Sequence, residues 1–272
     1  MHEYIRFLIQ MTRDIFTNGH RTLALAKFEY SLDTKGLFLG QLWKFLNPLI
    51  QIGAYWFVFG VGIRSGKPVN DIPYVVWLTC GLTPWLIMNK GVSDGAASIY
   101  NKAATLTRSN IPTSLIPISS SWAVLMDSAW TVLLLLIIFI GNGCAMSLHM
   151  LGLLYYAVCM LAFLATLNLV TSVLVMLARD FLNLIRAVLR ILFFLSPVFW
   201  DPGPDMPQVF HIFALCNPFA YVISGFRDSM LYYTPFWEKP LETLIFWITI
   251  LALYLMGALC QSRLRKNLLD FL

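Results

Sequence analysis

Three arginines, Arg179, Arg186 and Arg190, stand at the start of an otherwise apolar run that ends in Ser196-Pro197. Arg186 and Arg190 are four residues apart, so on a helix they share one face about one turn apart. Guanidinium groups match phosphate oxygens bidentately, which makes that face a candidate contact for a phosphate-bearing passenger. The competing reading is that these side chains snorkel toward lipid headgroups at the end of a span. Asp127 is the acid inside a second apolar run, with Ser119, Ser120, Ser121 and Ser128 close in sequence. It either caps a polar network between helices or helps to hold the protein in one state; a proton relay finds no second intramembrane carboxylate to share the task. Aromatic residues recur at Tyr55, Trp56, Phe57, Phe59, Trp77, Trp85, Phe193, Phe194, Phe199 and Trp200. They serve interfacial belts and packing, or they offer flat amphipathic surfaces along which sugars slide. Tyr55, Phe59, Trp85, Phe199 and Trp200 are the candidates for the second role, Phe199 and Trp200 above the others.

Other chemistries find little support. The segment GVGIRSGKP at 60–68 has the wrong glycine spacing for a phosphate-binding loop, and Pro68 stands where Ser or Thr is required. Neither a His-Glu metal motif nor a nucleophile–base pattern is visible, so no catalytic residue, metal ligand or cofactor is expected in this chain. Cys80, Cys144, Cys159, Cys216 and Cys260 stand singly in apolar surroundings and read as buried thiols, with only Cys144 and Cys216 placed where a disulfide could form.

The elements that position these groups belong in a membrane. Of 272 residues 58% are hydrophobic and 12% charged, where a soluble domain has about a quarter charged. Stretches 45–63, 72–89, 109–126, 128–178 and 243–262 contain no Asp, Glu, Lys or Arg. Each approaches or exceeds the roughly 20 residues a helix needs to cross hydrocarbon. Six crossings are predicted, at about 43–63, 72–91, 115–140, 150–177, 181–200 and 241–260. Such long runs satisfy their backbone as helices rather than as barrel strands. Segments 1–44, 90–108, 179–190 and 261–272 hold 15 Lys or Arg against 7 acids, whereas 64–71 and 201–242 hold 4 against 6. That asymmetry predicts both termini in the cytoplasm, and the first 44 residues show no cleavable signal peptide.

Residues 1–42 read as an amphipathic interface region. Ile5, Leu8, Ile9, Thr12, Ile15 and Phe16 recur at helical spacing, Asn18-Gly19 ends the pattern, and Leu25, Phe28 and Leu32 mark a second face beside Lys27 and Glu29. They form either a collar at the membrane surface or a packed helix of a small soluble subdomain. Between the second and third spans, Ala96–Leu106 is expected to form a short helix ended by Asn110-Ile111-Pro112, able to pass movement from a soluble motor to the spans; a plain connector is the alternative. Residues 201–240 carry two apolar pieces, Met206–Cys216 and Phe219–Tyr233, split by Asn217-Pro218. They enter one leaflet and return, and backbone broken at that depth requires protein or a wet cavity around it. Arg227-Asp228 is a candidate local ion pair, and 261–272 is a short tail.

FLGQLWKFLNPL at 38–49, TRSNIPTSLIP at 107–117, ARDFLNLIRAVLRILFFLSPVFW at 178–200 and NPFAYVISGFRD at 217–228 occur in that order. With these motifs the chain resembles the membrane subunit of an ABC-2 type polysaccharide exporter, nearest in look to wall teichoic acid exporters and similar also to O-antigen and capsule permeases. The resemblance implies an all-α fold of six transmembrane helices with an interface helix, a coupling helix and outer re-entrant helices. It implies a homodimer in the bacterial cytoplasmic membrane with two copies of a cytoplasmic ATPase, which would bind the ATP and magnesium. The cargo it implies is an undecaprenyl-diphosphate-linked polymer, poly(polyol phosphate) first and O-antigen or capsule glycan second. Phe28, Glu29, Tyr100, Asn101, Lys102, Arg108 and Asp180 fall where such a family would couple to its ATPase, while Thr113 and Ser114 stand where related permeases often carry charge. A secondary transporter and an ABC-2 exporter of drugs or ions are the remaining transport readings.

Overall fold

The computed structural model describes residues 2–36, 38–102, 111–201, 203 and 206–271. Every extended element among them is helical. Helices α1 (His2–Thr17) and α2 (Gly19–Leu32) follow one another through Asn18, whose carbonyl already accepts from Thr22 N. Neither helix stands free of the bundle. Of the apolar positions predicted along α1, Leu8 and Ile15 pack with Met11 against Ile118, Leu169 and Ala258, whereas Ile5, Ile9 and Phe16 are exposed; Tyr4 Oη donates to Leu255 O at 2.8 Å and Thr12 Oγ1 meets Tyr254 Oη at 2.6 Å.

Helix α3 (Trp43–Tyr55) runs on as a π-helical stretch, Trp56–Ile63. Gly60 lies under Tyr74 and Trp56, where a Cβ would sit 2.9 Å from the Tyr74 ring. Helix α4 (Tyr74–Asn101) is the pillar of the fold, surrounded by α5 (Leu115–Gly141), α6 (Gly152–Leu177), α7 (Asp180–Leu195) and α9 (Pro218–Arg227). Its glycines let neighbours approach closely. At Gly91 a Cβ would lie 2.6 Å from Leu164, and at Gly95 it would overlap the Asn168 amide. Asn168 itself donates to Gly91 O and Ser121 Oγ, both at 3.0 Å, so a polar residue fully inside the bundle is satisfied. Helix α10 (Pro240–Phe271) starts with proline at its first position, where the missing N–H costs no helical hydrogen bond.

Among the described residues four helical stretches are long and apolar enough to cross a membrane: Gly40–Ile63, Leu115–Gly141, Leu148–Leu177 and Pro240–Arg263. A fifth arises if α8 (Gln208–Cys216) and the stretch Pro218–Tyr232, bent by 97°, form one broken span. The protein is an all-α, multi-pass integral membrane protein. The two remaining predicted crossings differ from expectation for physical reasons. The 72–91 run is helical but continues to Asn101, its apolar residues interrupted by Thr79, Thr83, Asn89 and Lys90. Residues 181–200 are helical only to Leu195, so that α7, from Asp180, has 16 residues or about 24 Å. Pro197 disfavours helical backbone at the residue before it, and Ser196 is accordingly extended (φ −80°, ψ 151°).

The short helix expected over Ala96–Leu106 is corrected in its first half. Residues 96–101 are the last turns of α4, with Ala96 and Ile99 buried, and 103–110 lie outside the described residues. The break at Asn217-Pro218 falls where expected: the Asn217 side chain accepts from Phe219 N at 3.0 Å and starts α9.

Candidate functional site

Two features lie on either side of the middle of the bundle. One, toward the end where α1 meets the C-terminal half of α10, is a polar cavity; the other, toward the opposite end, is a cluster of aromatic rings.

The cavity has a volume of about 680 Å³ and is lined by the segment after α2, the first turns of α3, and α4 and α5. A second hollow of about 270 Å³ shares Asp33, Lys90, Ser93 and Asp127 with it. Asp127 is its electrostatic centre. Lys44 Nζ lies 2.8 Å from Oδ1 and Lys90 Nζ 2.6 Å from Oδ2. Lys90 also reaches Asp33 at 2.8 Å. Lys44 is 8% exposed and stacks its ammonium on the Tyr30 ring, 3.4 Å from the centroid, while donating to Tyr30 O at 3.2 Å. A lysine this deep is tolerated because carboxylate, carbonyl and ring all face it. Asp127 therefore does cap an interhelical network, tying α3 and α4 to α5. Lys90 also bridges Asp127 to Asp33, a half-exposed carboxylate on the segment following α2 and outside the predicted spans. Of the serines near it, Ser119 donates to Glu29 Oε1 at 2.8 Å and Ser121 accepts from Asn168, whereas Ser128 turns back to Leu125 O.

The expected residues distribute unevenly around this cavity. Glu29 pairs with Lys102, joining α2 to the residue that ends α4. Arg186 and Asn101 line the smaller hollow with Glu29 and Lys102. Arg190 is exposed and lines neither hollow. Arg179 is exposed at the N-cap of α7 and sits over the Tyr100 ring, 4.2 Å from its centroid. Asp180 occupies the first turn of α7, where its charge favours the helix dipole. Phe28 is 59% exposed and faces away from the bundle. Arg108 lies outside the described residues. Around the hollows Lys44, Lys90 and Lys102 are matched by Asp127, Asp33 and Glu29, and Asp94 and Arg186 both line the smaller one without an ion pair between them. Sequence reasoning missed Lys44, Lys90 and Asp33. Lys90 ends the charge-free stretch 72–89, where a cation reads as a span boundary, and only the fold shows it turned onto Asp127.

The aromatic cluster gathers Tyr55 from the end of α3, Phe59 from the π-helical stretch after it, Trp85 from α4, Phe193 from α7 and Phe199 from the segment beyond that. Phe199 stacks on Phe59 with centroids 4.4 Å apart, and lies 4.9 Å from Phe193 and 5.5 Å from Tyr55. Trp85 is 5.2 Å from Phe193 and 5.4 Å from Phe219. Four of the five aromatic candidates thus meet in one cluster. The fifth, Trp200, points elsewhere: its Nε1 caps Phe194 O at 3.2 Å and its ring meets Phe210 edge-on at 5.4 Å.

Beyond the cluster, Ser196-Pro197 and Asn217-Pro218 come together through a hydrogen bond of 2.9 Å from Asn217 Nδ2 to Ser196 Oγ. The expected Arg227–Asp228 pair is not formed. Arg227 turns inward to the carbonyls of Pro197 and Val198, while Asp228 pairs with Lys239 at 2.6 Å. All five cysteines are free thiols. Among the described residues no group of three or more His, Cys, Asp or Glu is arranged to hold a metal ion. The arrangement is a polar cavity whose lysines are paired with carboxylates, an arginine, Arg186, at the smaller hollow beside it, and a separate aromatic cluster.

The chain is 25% identical over 257 residues, 94% of its length and 97% of the relative's, to the O-antigen export system permease protein RfbA of Myxococcus xanthus. Two proteins of that description from Klebsiella pneumoniae are 25% and 24% identical over 199 residues, 72% of this chain and 74% of theirs. The family model described as ABC-2 type transporter matches residues 20–231, from the start of α2 through the bent pair, so that the cavity, the aromatic cluster and the broken helix all fall inside it, and the chain belongs to that family.

Proposed function

We propose that this protein is the permease subunit of an ATP-driven exporter that moves an O-antigen-type or capsular polysaccharide, carried on undecaprenyl diphosphate, from the cytoplasmic to the outer side of a bacterial membrane. The observation that carries the cargo is the set of relatives, which are O-antigen export permeases over nearly the whole chain in one case. They favour that cargo over wall teichoic acid, for which none of them speaks. The physical plan agrees: a glycan needs hydroxyl-tolerant walls, and a diphosphate needs cations that are not already neutralised.

In this reading the functional unit is two copies of the permease with two copies of a cytoplasmic ATPase, which holds the ATP and magnesium. Both termini are cytoplasmic, α4 and α7 complete six crossings, and the bent pair is the outer re-entrant element. The diphosphate meets Arg179, Arg186 and Arg190, whose guanidinium forks suit phosphate oxygens. The glycan passes by the polar cavity and then along Tyr55, Phe59, Trp85 and Phe199, with Trp200 at the rim. Closure of the ATPase pair reaches the permease through α2 and the end of α4, linked by Glu29 and Lys102, with Phe28, Tyr100, Asn101, Arg108 and Asp180 around that contact.

The decisive measurement is gentle extraction followed by reconstitution. A soluble ATPase is expected to copurify, and in liposomes its turnover is expected to rise with undecaprenyl-diphosphate-linked glycan. Recovery of no ATPase, or stimulation only by small hydrophobic compounds, would sink the proposal. Transport driven by a proton or sodium gradient without ATP would replace it with a secondary transporter.

A further inference from the structure

The charged side chain buried deepest in the described molecule is Arg227, at 2% exposure near the end of α9. It forms no ion pair. Its Nη1 donates to Pro197 O, its Nη2 to Val198 O at 2.7 Å and its Nε to Trp77 O at 3.5 Å, and its plane lies over the Trp77 ring, 3.6 Å from the centroid. Gly81, four residues after Trp77 and therefore on the same face of α4, leaves the space: a Cβ there would overlap the guanidinium. The carbonyls Arg227 grips belong to the irregular segment beyond α7, which stops at Leu195, so no helical N–H is offered to them. A second limb runs beside it. Trp77 Nε1 donates to Tyr232 Oη at 3.0 Å, and Tyr232 Oη donates to Asp201 Oδ2 at 2.9 Å. The segment 197–201 is thus held from both sides, and Phe199 stands in the middle of it.

We infer that Arg227 is a positioning residue: by pinning the Pro197 and Val198 carbonyls to α4 it fixes Phe199 in its stack on Phe59, and so keeps the aromatic constriction shut until the pathway opens. The geometry explains the choice of arginine. A lysine has one nitrogen and cannot serve two successive carbonyls while lying flat on an indole, whereas a guanidinium does both. Burial strengthens the hold, because each donor would otherwise lose water without a replacement. Release of this one side chain leaves the segment tied at Asp201, by the second limb, and loosens the ring it carries. This inference rests on the reading of the aromatic cluster as the barrier of an export path.

The test uses the full chain reconstituted with its ATPase in liposomes, without nucleotide, reading passive entry of iodide by quenching of a trapped fluorophore. Phe199→Ala, which removes the ring itself, is expected to leak and tests the barrier. Arg227→Lys keeps the charge but not the fork, and Gly81→Ala displaces the guanidinium while leaving its charge untouched. Each of these two is expected to raise leak about tenfold, as loss of charge-assisted bonds holding a closed state would, with ATPase assembly unchanged. Tyr232→Phe breaks only the second limb and is expected to leak less than either. A leak from Phe199→Ala with none from Arg227→Lys and Gly81→Ala would overturn the positioning role and leave the barrier standing. No leak from Phe199→Ala would overturn both. If Arg227→Lys and Gly81→Ala fail to assemble, Tyr232→Phe decides: an assembled, leak-free Tyr232→Phe protein counts against the inference.

Discussion

The two buried lysine and arginine sites of this molecule solve one problem in opposite ways. At the cavity, Lys44 and Lys90 are neutralised by carboxylates, so the network is held by charge and tolerates water beside it. At the far end, Arg227 has no carboxylate bonded to it and is held by backbone carbonyls and an indole face. The first arrangement joins three helices around an open polar cavity, with Lys90 partly exposed to it. The second fastens buried, irregular backbone whose carbonyls have no helical partner. A charge-paired site responds to anything that brings in another charge; a backbone clamp responds only to movement. On the function proposed above, the contrast would suit an entry that accepts a charged lipid carrier and an exit that stays shut.

The largest effect that sharpens this contrast is expected at Asp127. Asp127→Ala leaves Lys44 buried with an unmatched charge, which costs about 3–5 kcal/mol, read as a large fall in thermal stability of the detergent-solubilised protein. The companion double substitution Lys44→Met with Asp127→Leu is expected to recover most of that loss, because apolar replacements of both partners remove the penalty. If the double variant is as unstable as the single one, the network is not the charge-held site described here. Next in size is Arg186→Ala combined with Arg190→Ala. The pair is expected to lower export of lipid-linked glycan by about tenfold or more, the range of one or two lost charge-assisted contacts, with stability little changed. Normal export at normal expression would return these arginines to lipid snorkelling.

How much of this was legible in the sequence follows from what kind of interaction places each part. Spans set by unbroken apolar runs, such as 115–140 and 150–177, appear as helices with nearly those bounds, because burial of backbone in hydrocarbon leaves few alternatives. The break at Asn217-Pro218 was legible because it is local, a cap and an imide within two residues. The end of α7 at Leu195 was written in Pro197, yet the apolar run through Trp200 concealed it, since hydropathy does not register where helical hydrogen bonding stops. Lys90 and Arg227 could not be placed at all from their neighbours. Each is oriented by residues far along the chain, Asp127 for one and Pro197 for the other, and sequence adjacency suggested for Arg227 the wrong partner, Asp228.

Phe199→Leu offers a finer probe of the far end than truncation. It keeps apolar bulk but removes the stack on Phe59, an interaction of about 0.5–1.5 kcal/mol. Stability is expected to fall by that amount, with export of glycan slowed if rings guide sugars and unchanged if they merely fill space. Equal export at reduced stability would assign the cluster to packing alone.

The smallest stability effect is expected at Glu29→Gln, and it bears on how the two ends communicate. Glu29 and Lys102 are both partly exposed, at 18% and 25% of the side chain, so losing their pairing costs no more than about 1 kcal/mol. Ser119 also donates to Glu29, and a glutamine oxygen can keep accepting from it. The fold therefore survives, but α2 is no longer tied by charge to the end of α4, the helix that carries both Lys90 at the cavity and Trp77 and Gly81 under Arg227. In the reconstituted exporter, ATP turnover is expected to persist while glycan moved per ATP falls. A parallel loss of both would mean that Glu29 supports assembly rather than transmission. An unchanged ratio would mean that the ATPase reaches the cavity and the far end by some route other than α4.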